Sequence, residues 1–471
     1  LYQKPKQIVM DTNEMICALA TVPGTAAIAV IRISGSGSIE KISSLFKPAK
    51  SNFNLSEANS HTIHYGDIIF DDELLDDVLV SVFRNPHSYT GEDSVEISCH
   101  GSPYIQQKLL ENLINSGIRL ARPGEFTMRA FLNGKMDLAQ AEAVADLIAS
   151  NSKTAHNLAI DQMRGGFSKR IGELRKELIG FASLIELELD FSEENVEFAD
   201  RQQLLDLIRK IKTEIESLIQ SFNFGNVLKA GIPVAIIGKP NVGKSTLLNT
   251  LLQEEKAIVS EIPGTTRDSI EDTIIIDGVA FRFIDTAGLR PTEDTIETIG
   301  IERTLEKIKQ ARIILFVFDV ATCTMDQIKE VIEEHRHLIN DPSKRVILIG
   351  NKIDQLIEIP KGFKDLLEME TIFVSAKRKE NINLISDSLL KSVSREQIED
   401  NAIVSNTRHY EALSNSLDAL NSVEEAMLQG ISSDLVASDI RQALYHLGTI
   451  TGQIVNDDIL DHIFKNFCIG K

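Results

Sequence analysis

The spacing of hydrophobic positions changes several times along the chain. Up to about residue 130, short apolar runs alternate with turns. In SVEISCHG, the apolar residues Val95, Ile97 and Cys99 alternate with polar neighbours, which is the period of a half-buried strand. The following SPYIQQKLLENLINSG predicts a helix that is capped by Ser102 and ended by a glycine. This part of the chain therefore predicts an α+β domain.

Helical spacing takes over at about residue 131. In DLAQAEAVADLIAS, the residues Leu138, Ala141, Ala145 and Ile148 recur at steps of three and four, so we expect them on one helix face. Strands, loops and helices then alternate, as is typical of a parallel α/β unit, and the apolar ARIILFVFDVA predicts a buried parallel strand. From about residue 384 the spacing is helical again.

These changes predict a multidomain α/β protein in which one helical domain is interrupted by an inserted α/β domain. The predicted domains are an N-terminal α+β domain over 11–130, a first helical segment over 131–225, the insert over 226–383 and a second helical segment over 384–471.

Composition narrows the classes of function. The 471 residues carry 49 basic and 69 acidic side chains, a net charge of −20, so a broad basic surface for nucleic acid is not expected. Four scattered cysteines lack zinc-site spacing and predict reduced thiols. The longest apolar run is far shorter than the ~20 residues that cross a bilayer, and no secretory signal is visible. We therefore expect a cytoplasmic protein that does not enter a membrane.

The segment PVAIIGKPNVGKST carries the strongest chemical signal. It matches the phosphate-loop pattern from Gly238 to Ser245, directly after an apolar run and before the helical TLLNTLL. The glycines let backbone N–H groups turn toward phosphates, and the helix start adds its positive dipole end. Lys244 can neutralise the β- and γ-phosphates, and the Ser245 hydroxyl can ligate Mg²⁺.

Two further motifs predict the switches of a GTPase. GTTRD supplies Thr265 and Thr266, either of which could close over Mg²⁺ and the γ-phosphate. DTAG supplies Asp285 for the outer shell of the metal and Gly288 for a backbone N–H to the γ-phosphate. Many small GTPases place a water-orienting glutamine after this glycine, but here Leu289 follows it, so another residue must orient the water.

The base-recognition motifs favour guanine over adenine. In NKID, the Asp354 carboxylate can accept both N1–H and the 2-amino group of guanine, while Asn351 and Lys352 brace the loop. In VSAKR, the backbone N–H of Ala376 could reach guanine O6. Five elements in this order predict a Ras-like P-loop GTPase domain.

GKPNVGKS, GTTRD, DTAGLR, the inserted arrangement and the terminal FCIGK together resemble the MnmE (TrmE) family of tRNA modification GTPases. Similarity is also specific in RISG, TGED and ARPGEFTMRAFLNGKMDLAQAEA. The resemblance implies an N-terminal domain that binds tetrahydrofolate and dimerises. It also implies an FAD-dependent partner, MnmG (GidA), in a heterotetramer or larger assembly that modifies C5 of the wobble uridine of certain tRNAs.

The resemblance also implies roles for residues of the nucleotide site. K⁺ would be bound by Asn241, Ser260, Ile262 and Thr265, and Mg²⁺ by Ser245 and Thr266. Glu297 would orient the attacking water, with Glu293 in the same loop as its competitor. The implied GTP-binding set is Asn241, Val242, Gly243, Lys244, Ser245, Thr246, Ser260, Glu261, Ile262, Pro263, Gly264, Thr265, Thr266, Asp285, Thr286, Ala287, Gly288, Asn351, Lys352, Asp354, Ser375, Ala376 and Lys377.

The resemblance also implies a second site, which binds the folate. Arg32, Glu96 and Lys135 resemble folate-pocket positions of the family: a carboxylate can pair with the pterin edge, and cations suit the glutamate tail of the folate. In the C-terminal FCIGK, Cys468 would serve the modification chemistry and Lys471 would contact the folate. Because Ile463, Phe464 and Phe467 are apolar, we expect this tail to dock against the protein.

Two other functions are compatible with the GTPase motifs. A GTP-switched ribosome-assembly factor of the Era or Der type would carry an RNA-binding appendage, but the segment after residue 384 has more acids than bases. A membrane-remodelling GTPase would need an amphipathic helix rich in Lys and Arg, and none is evident.

Overall fold

The computed structural model describes residues 14–50, 52–71, 73–190, 201–254, 272–284, 309–324, 326–327, 330, 333, 341, 344–356, 370–392, 403–431, 433–455, 457–465 and 467–470. The chain divides into two compact units. The first contains the residues up to 148, 160–215 and those from 411 onward, and the second contains 149–159 and 216–410.

The first unit contains a seven-stranded sheet. Its strands are β1 (Ile16–Leu19), β2 (Ile28–Ser34), β3 (Phe46–Pro48), β4 (Thr62–Phe70), β5 (Glu73–Phe83), β6 (Ser94–His100) and β7 (Arg119–Leu120). Their order in the sheet is β3-β4-β5-β6-β2-β1-β7. Neighbours are antiparallel except for β1 and β7, which are parallel.

One face of this sheet forms a core. The alternation predicted for residues 94–100 is confirmed, because Val95, Ile97 and Cys99 are buried in β6. This face packs on two helices, α1 (Ser38–Ser43) and α2 (Pro103–Asn115). A 3₁₀ turn at Leu55–Glu57 adds Leu55 to the same core.

The start of α2 differs from the prediction. Ser102 occupies the N-cap position, but its side chain makes no capping hydrogen bond. Pro103 is the first helical residue, and its fixed φ favours a helix start without needing an N–H partner. The predicted glycine end is confirmed, since Gly117 has φ +93° directly after the C-cap residue Ser116.

Apart from two helices that accompany the second sheet, the described residues also form α3 (Glu125–Leu132), α4 (Leu138–Ala149), α5 (Lys153–Met163), α6 (Gly166–Asp190), α7 (Arg201–Ala230), α10 (Thr407–Leu428), α11 (Ser433–Thr451) and α12 (Asp457–Phe464). Within the first unit, α6 packs along α11, and Arg175 Nε donates to the carbonyl of Leu444 at 3.4 Å. No helix of the described residues combines the length and apolar character needed to cross a membrane.

The predicted apolar face of α4 is shorter than expected. Leu138 and Ala141 are buried and Ala145 is partly buried against α12, but Ile148 is 51% exposed. An eight-residue helix such as α12 spans only about 12 Å, so the cluster it forms with α4 does not extend to Ile148.

The second unit contains a six-stranded sheet with the order β13-β12-β11-β8-β10-β9. Only β9 is antiparallel to its neighbour. The elements are β8 (Ile232–Ile237), α8 (Lys244–Glu254), β9 (Asp272–Ile276), β10 (Val279–Phe283), β11 (Ile313–Asp319), β12 (Arg345–Asn351), a 3₁₀ turn (Ile353–Gln355), β13 (Thr371–Phe373) and α9 (Ile382–Lys391).

The predicted buried parallel strand in ARIILFVFDVA is confirmed as β11. It pairs in parallel with β8 on one side and with β12 on the other, and Ile313, Leu315 and Val317 are fully buried. The carboxyl ends of β8, β11 and β12 therefore lie at the same edge of the sheet, where ligands of such sheets bind.

Candidate functional site

The phosphate loop lies between β8 and α8, as its motif predicts. Gly238 has φ +149°, and a Cβ at this position would overlap the carbonyl oxygen of Val317 in β11. Gly243 has φ +97°, and a Cβ there would overlap the side-chain amide of Asn351. Both positions require glycine, because the loop bends in a left-handed conformation and two neighbouring segments approach it closely.

Lys244 opens α8 and lies over its own loop. Its Nζ donates to the carbonyls of Gly238 at 2.7 Å and Lys239 at 2.8 Å. Ser245 and Thr246 follow in the first turn of the helix. A charged amine and the start of an eleven-residue helix thus meet at one loop, which is the arrangement that binds phosphate groups.

Asn351 joins three loops at the end of β12. Its Nδ2 donates to the carbonyl of Val242 in the phosphate loop at 2.8 Å, and its Oδ1 accepts from the backbone N–H of Ala376 at 3.0 Å. The side chain is buried, so these hydrogen bonds are protected from water. Asn351 therefore braces the phosphate loop and the SAK loop, whereas the sequence predicted only that it braces its own NKID loop.

The Asp354 carboxylate of the NKID loop is held by the SAK loop. Its Oδ1 accepts from the hydroxyl of Ser375 at 2.7 Å, and the same hydroxyl oxygen accepts from the backbone N–H of Arg378 at 3.1 Å. Thr250 of α8 donates to the carbonyl of Ala376 at 3.0 Å. Lys377 is exposed beside them. Since the Ala376 N–H already donates to Asn351, a guanine O6 would have to share or replace that acceptor.

Lys352, the second residue of the NKID motif, links that motif to the phosphate loop through its charged ammonium. Its Nζ donates to the carbonyl of Asn241 at 2.8 Å and to Asp319 Oδ2 at 2.7 Å. Burial opposes ionisation of Asp319, but hydrogen bonds from Lys352 and from the backbone N–H of Ala321 outweigh it and hold the pKa of Asp319 below its usual range.

A second group of predicted residues lies on the N-terminal sheet. Arg32 in β2 and Glu96 in β6 are directly opposite each other in the antiparallel register. Nε of Arg32 donates to Glu96 Oε1 at 2.8 Å, and Nη2 forms an ion pair with the same oxygen at 2.8 Å. The guanidinium carbon lies 5.3 Å from the ring centre of Tyr89 and 5.7 Å from that of Phe126, so aromatic rings favour the cation from two sides.

The C-terminal tail docks on this sheet, as expected. Phe464 and Phe467 are buried in a cluster with residues of α3 and α4. Beyond them, the backbone N–H of Gly124 donates to the carbonyl of Cys468 at 3.4 Å, and Arg32 Nη1 donates to the carbonyl of Gly470 at 3.5 Å. Cys468 itself is exposed. The structure therefore brings the segment that carries Cys468 to Arg32 and Glu96.

Comparison with known proteins decides between the possible GTPase families. The family model of the MnmE helical domain matches residues 138–468, and that of the GTP-binding protein TrmE N-terminus matches residues 15–135. The tRNA modification GTPase MnmE of Flavobacterium psychrophilum is 52% identical over 464 residues, which cover 98% of this chain and 100% of that protein. The MnmE of Bacteroides fragilis is 51% identical over 468 residues with the same coverage. This chain belongs to the MnmE family.

Membership of the MnmE family makes this protein a GTP-hydrolysing enzyme. GTP binding with Mg²⁺ is general among such GTPases, and the phosphate and base loops described above are the parts of the chain suited to it. Among solved structures, Era of Aquifex aeolicus bound to GDP and AlF4⁻ is 28% identical with a TM-score of 0.27, covering 40% of this chain and 66% of that one. The family assignment rests on the full-length relatives.

Several residues predicted from the MnmE resemblance lie outside the described residues. They are Glu293, Glu297 and Lys471, the first-switch residues Ser260, Glu261, Ile262, Pro263, Gly264, Thr265 and Thr266, and the second-switch residues Asp285, Thr286, Ala287 and Gly288. Of the predicted folate residues, Lys135 is described: it is exposed, and its Nζ donates to the carbonyl of Pro86 at 2.9 Å.

Some residues that hold these MnmE sites were missed from the sequence. Asp319 ends the apolar run of β11, and an acid in that position was the available signal. Gly470 has φ +95°, and a Cβ there would overlap the carbonyl oxygen of Leu19. Gly124 has φ +66°, and a Cβ there would approach Phe464 O to 2.8 Å. No local pattern marks these two glycines, because their contacts are with distant segments.

Proposed function

We propose that this protein is a K⁺-dependent GTP hydrolase that takes part in tRNA modification. With the FAD-dependent partner MnmG (GidA), it would add a carboxymethylaminomethyl or aminomethyl group to C5 of the wobble uridine of certain tRNAs, using a tetrahydrofolate derivative as one-carbon donor. The names of its relatives support tRNA as the substrate. The observation that carries the proposal is the contact of the C-terminal tail with Arg32.

The residues of the N-terminal sheet fit a folate. Among the described contacts, both contacts of Arg32 with the Glu96 carboxylate fall on Oε1, and a carboxylate has acceptor sites on each oxygen. Glu96 could therefore keep Arg32 and still accept from a pterin edge at Oε2. The Glu96 side chain is 27% exposed, which leaves room for such a ligand. Lys135 and Lys471 would serve the anionic end of the folate.

The phosphate loop fits the two proposed cations. Ser245 follows Lys244, the first residue of α8, and its hydroxyl suits an Mg²⁺ ligand together with Thr266. Asn241 is exposed with φ +63°, and its amide oxygen is the kind of ligand that K⁺ accepts; Ser260, Ile262 and Thr265 would complete that shell. When bound, K⁺ supplies positive charge near the transferred phosphate. Glu297 would orient the water in place of the missing glutamine.

GTP hydrolysis in matched KCl and NaCl buffers tests the potassium requirement. Positive charge at a phosphoryl-transfer transition state contributes on the order of 10³–10⁵ in rate, so we expect turnover in KCl and a large loss in NaCl. Na⁺ is smaller than K⁺ and fits a cage of carbonyl oxygens sized for K⁺ poorly. Equal rates in both salts would remove the role proposed for Asn241.

Mass spectrometry of tRNA nucleosides from a deletion strain tests the modification itself. We expect the C5 group of the wobble uridine to disappear and to return when the gene is restored. An intact wobble uridine together with defective ribosomal subunits would instead support the Era or Der type of function.

A homodimer is the proposed state of the free protein in the cytoplasm, and the open face of the N-terminal sheet supports it. Ile28, Ile63, Tyr65 and Leu79 are each at least 45% exposed, and the strand register sets them on the face that also carries Arg32 and Glu96. An exposed apolar face of this kind is typical of an interaction surface. MnmG would join this dimer to form a heterotetramer or a larger assembly.

Sedimentation analysis tests this interface. Leu79→Lys places a charge on the open face and should convert the dimer to monomer at micromolar concentration. Leu428→Lys is the matched control, because Leu428 is 62% exposed at the end of α10 and away from that sheet. A Leu79→Lys protein that remains dimeric would refute the proposed interface.

A further inference from the structure

Three segments of the second unit meet at the ammonium of Lys352. Asp319 comes from the end of β11, Lys352 from the NKID loop and Asn241 from the phosphate loop. The ammonium lies 2.7 Å from the Asp319 carboxylate and 2.8 Å from the Asn241 carbonyl oxygen. A single cation therefore joins a fixed acid in the sheet to the backbone of the phosphate loop.

Asp319 is the rigid end of this connection. It is the last residue of β11 and is buried to 7% exposure. Its Oδ1 accepts from the backbone N–H of Ala321 at 2.9 Å, and its carbonyl accepts from the N–H of Cys323 at 2.9 Å. The next residue, Val320, donates to the carbonyl of Asn351 at 3.1 Å. These contacts hold Asp319 in place independently of Lys352.

Asn241 is the adjustable end. Its φ of +63° is left-handed, a conformation that asparagine tolerates better than most residues but that still needs support. In the described contacts, its carbonyl accepts from Lys352 while its side chain is exposed. The backbone of Asn241 is therefore held, and its amide remains available to a ligand.

We propose that Asp319 is a positioning residue for the cation site of the phosphate loop. By neutralising Lys352 and holding it on the Asn241 carbonyl, Asp319 keeps the Asn241 amide in the orientation that a monovalent cation requires. This inference rests on the proposed function, in which Asn241 binds K⁺. Without the acid, the ammonium has no counter-charge at the sheet and gains more by turning to water, which releases the carbonyl.

Binding of K⁺ to the transition-state-like complex tests the inference without turnover. The probe is the fluorescence of mant-GDP with aluminium fluoride, titrated with KCl while NaCl keeps the ionic strength constant. Asp319→Asn removes the charge and keeps the shape. We expect it to raise the KCl concentration for half-maximal signal about tenfold, the scale of one charge-assisted hydrogen bond. Binding of mant-GDP alone in NaCl should change less than about threefold.

Two further proteins separate positioning from general loosening. Asp326→Asn removes an exposed acid seven positions further along the chain and should titrate like the unaltered protein. Lys352→Met breaks the same connection from its centre, so adding Asp319→Asn to it should raise the KCl requirement no further. A further rise in the double variant would show that Asp319 acts by another route and would overturn the inference.

The outcomes distinguish this inference from the proposed function. If the unaltered protein responds to KCl and Asp319→Asn responds at the same concentration, Asp319 does not position the site and only the inference fails. If the unaltered protein shows no response to KCl, the potassium requirement fails and takes the inference with it. If Asp319→Asn weakens mant-GDP binding equally in NaCl and in KCl, Asp319 has only a structural role and the inference fails.

Discussion

Single side chains connect the loops of the nucleotide site. Asn351 bonds the phosphate loop through its nitrogen and the SAK loop through its oxygen, while the hydroxyl of Ser375 holds Asp354. Asn351 and Ser375 are both buried, so these hydrogen bonds are shielded from water. At this scale, exchanging an oxygen for a nitrogen changes recognition without removing any bulk, because donors and acceptors must match.

Asp354→Asn should change the preferred base. The amide oxygen can still accept from Ser375 Oγ, while its nitrogen can donate to the 2-oxo group of xanthine but cannot accept from guanine. We expect GTP affinity to fall about 10- to 100-fold, the scale of charged hydrogen bonds, and XTP affinity to rise. Displacement of bound mant-GDP by GTP and, separately, by XTP measures both changes.

The control for this exchange is Asp387→Asn, which alters an exposed acid of α9 and should leave both affinities unchanged. If Asp354→Asn binds GTP and XTP as the unaltered protein does, the base is recognised elsewhere.

Two histidines of the N-terminal sheet should have pKa values that are shifted in opposite directions. The ring Nδ1 of His100 lies 2.7 Å from Asp76 Oδ1, and this hydrogen bond raises the pKa of His100 above its usual 6.5. Burial lowers the pKa of His64, which stacks on Phe53 at 4.2 Å. Proton NMR of the two rings over pH 5–8 measures both values.

These pKa shifts decide whether the contribution of each histidine to the stability of the fold is lost as the pH rises or as it falls. The His100 pair stabilises the folded protein below pH 6.5, and this contribution is lost as pH rises through the raised pKa. His64 acts oppositely, since its contribution is present above pH 6.5 and lost as pH falls through the lowered pKa. Asp76→Asn should return the pKa of His100 toward 6.5 and leave that of His64 alone; a raised His100 pKa in that variant would contradict the assignment.

At the scale of elements, the tail after α12 shows how a short segment is fixed. Phe464 and Phe467 supply apolar contact, but the final position depends on close backbone approach at Gly124 and Gly470. The carbonyl of Gly470 then reaches Arg32. Side-chain burial brings the tail to the surface, and glycine lets its backbone lie flat on it.

Gly470→Ala should therefore lift the end of the tail. Its Cβ would overlap the carbonyl oxygen of Leu19, in addition to the strain of a left-handed alanine, which costs about 1–2 kcal/mol. We expect faster amide hydrogen exchange over residues 467–470, measured by mass spectrometry.

Gly430→Ala separates the two effects, because Gly430 also has positive φ, +67°, but nothing lies within 4 Å of its Cβ position. It should be strained without loosening the tail. Equal exchange rates in the two variants would mean that close packing at Gly470 does not hold the tail.

Local patterns predicted the elements well and the contacts between them less well. The alternation in β6, the apolar run of β11 and the phosphate-loop motif each depend on neighbours in the sequence, and all three were found as predicted. The missing side-chain cap of Ser102 has a local cause, the proline after it. The exposed Ile148 and the ion pair made by Asp319 depend instead on distant segments: the length of α12 and the position of Lys352. A single sequence does not contain those distances.

At the scale of the whole molecule, two predicted sites belong to different compact units. The phosphate and base loops lie in the second unit, whereas Arg32, Glu96 and the tail with Cys468 lie in the first. A protein arranged in this way allows the two chemical activities to be altered separately.

Cys468→Ser should separate them. The exposed thiol would act as a nucleophile or proton carrier in the proposed modification, and no described contact joins it to the phosphate loop. We expect GTP hydrolysis within about twofold of normal and no tRNA modification. The assay supplies tRNA, the FAD-dependent partner, a folate donor and GTP, and detects the modified uridine by mass spectrometry.

Cys323→Ser is the matched control, since Cys323 is a partly buried thiol of the second unit and should leave modification intact. Normal modification by the Cys468→Ser protein would exclude a chemical role for that thiol.

The division of the chain also has a consequence for its synthesis. Helix α6 packs on α11, yet roughly 240 residues separate the end of the first at Asp190 from the start of the second at Ser433. At about 5–20 residues per second, a ribosome needs roughly 12–50 s to cover that distance. The apolar stripe of α6, with Leu174, Leu178 and Phe181, therefore leaves the ribosome well before its partner exists. During that interval the stripe is exposed apolar surface of the kind that chaperones cover, while the GTPase sheet can already fold.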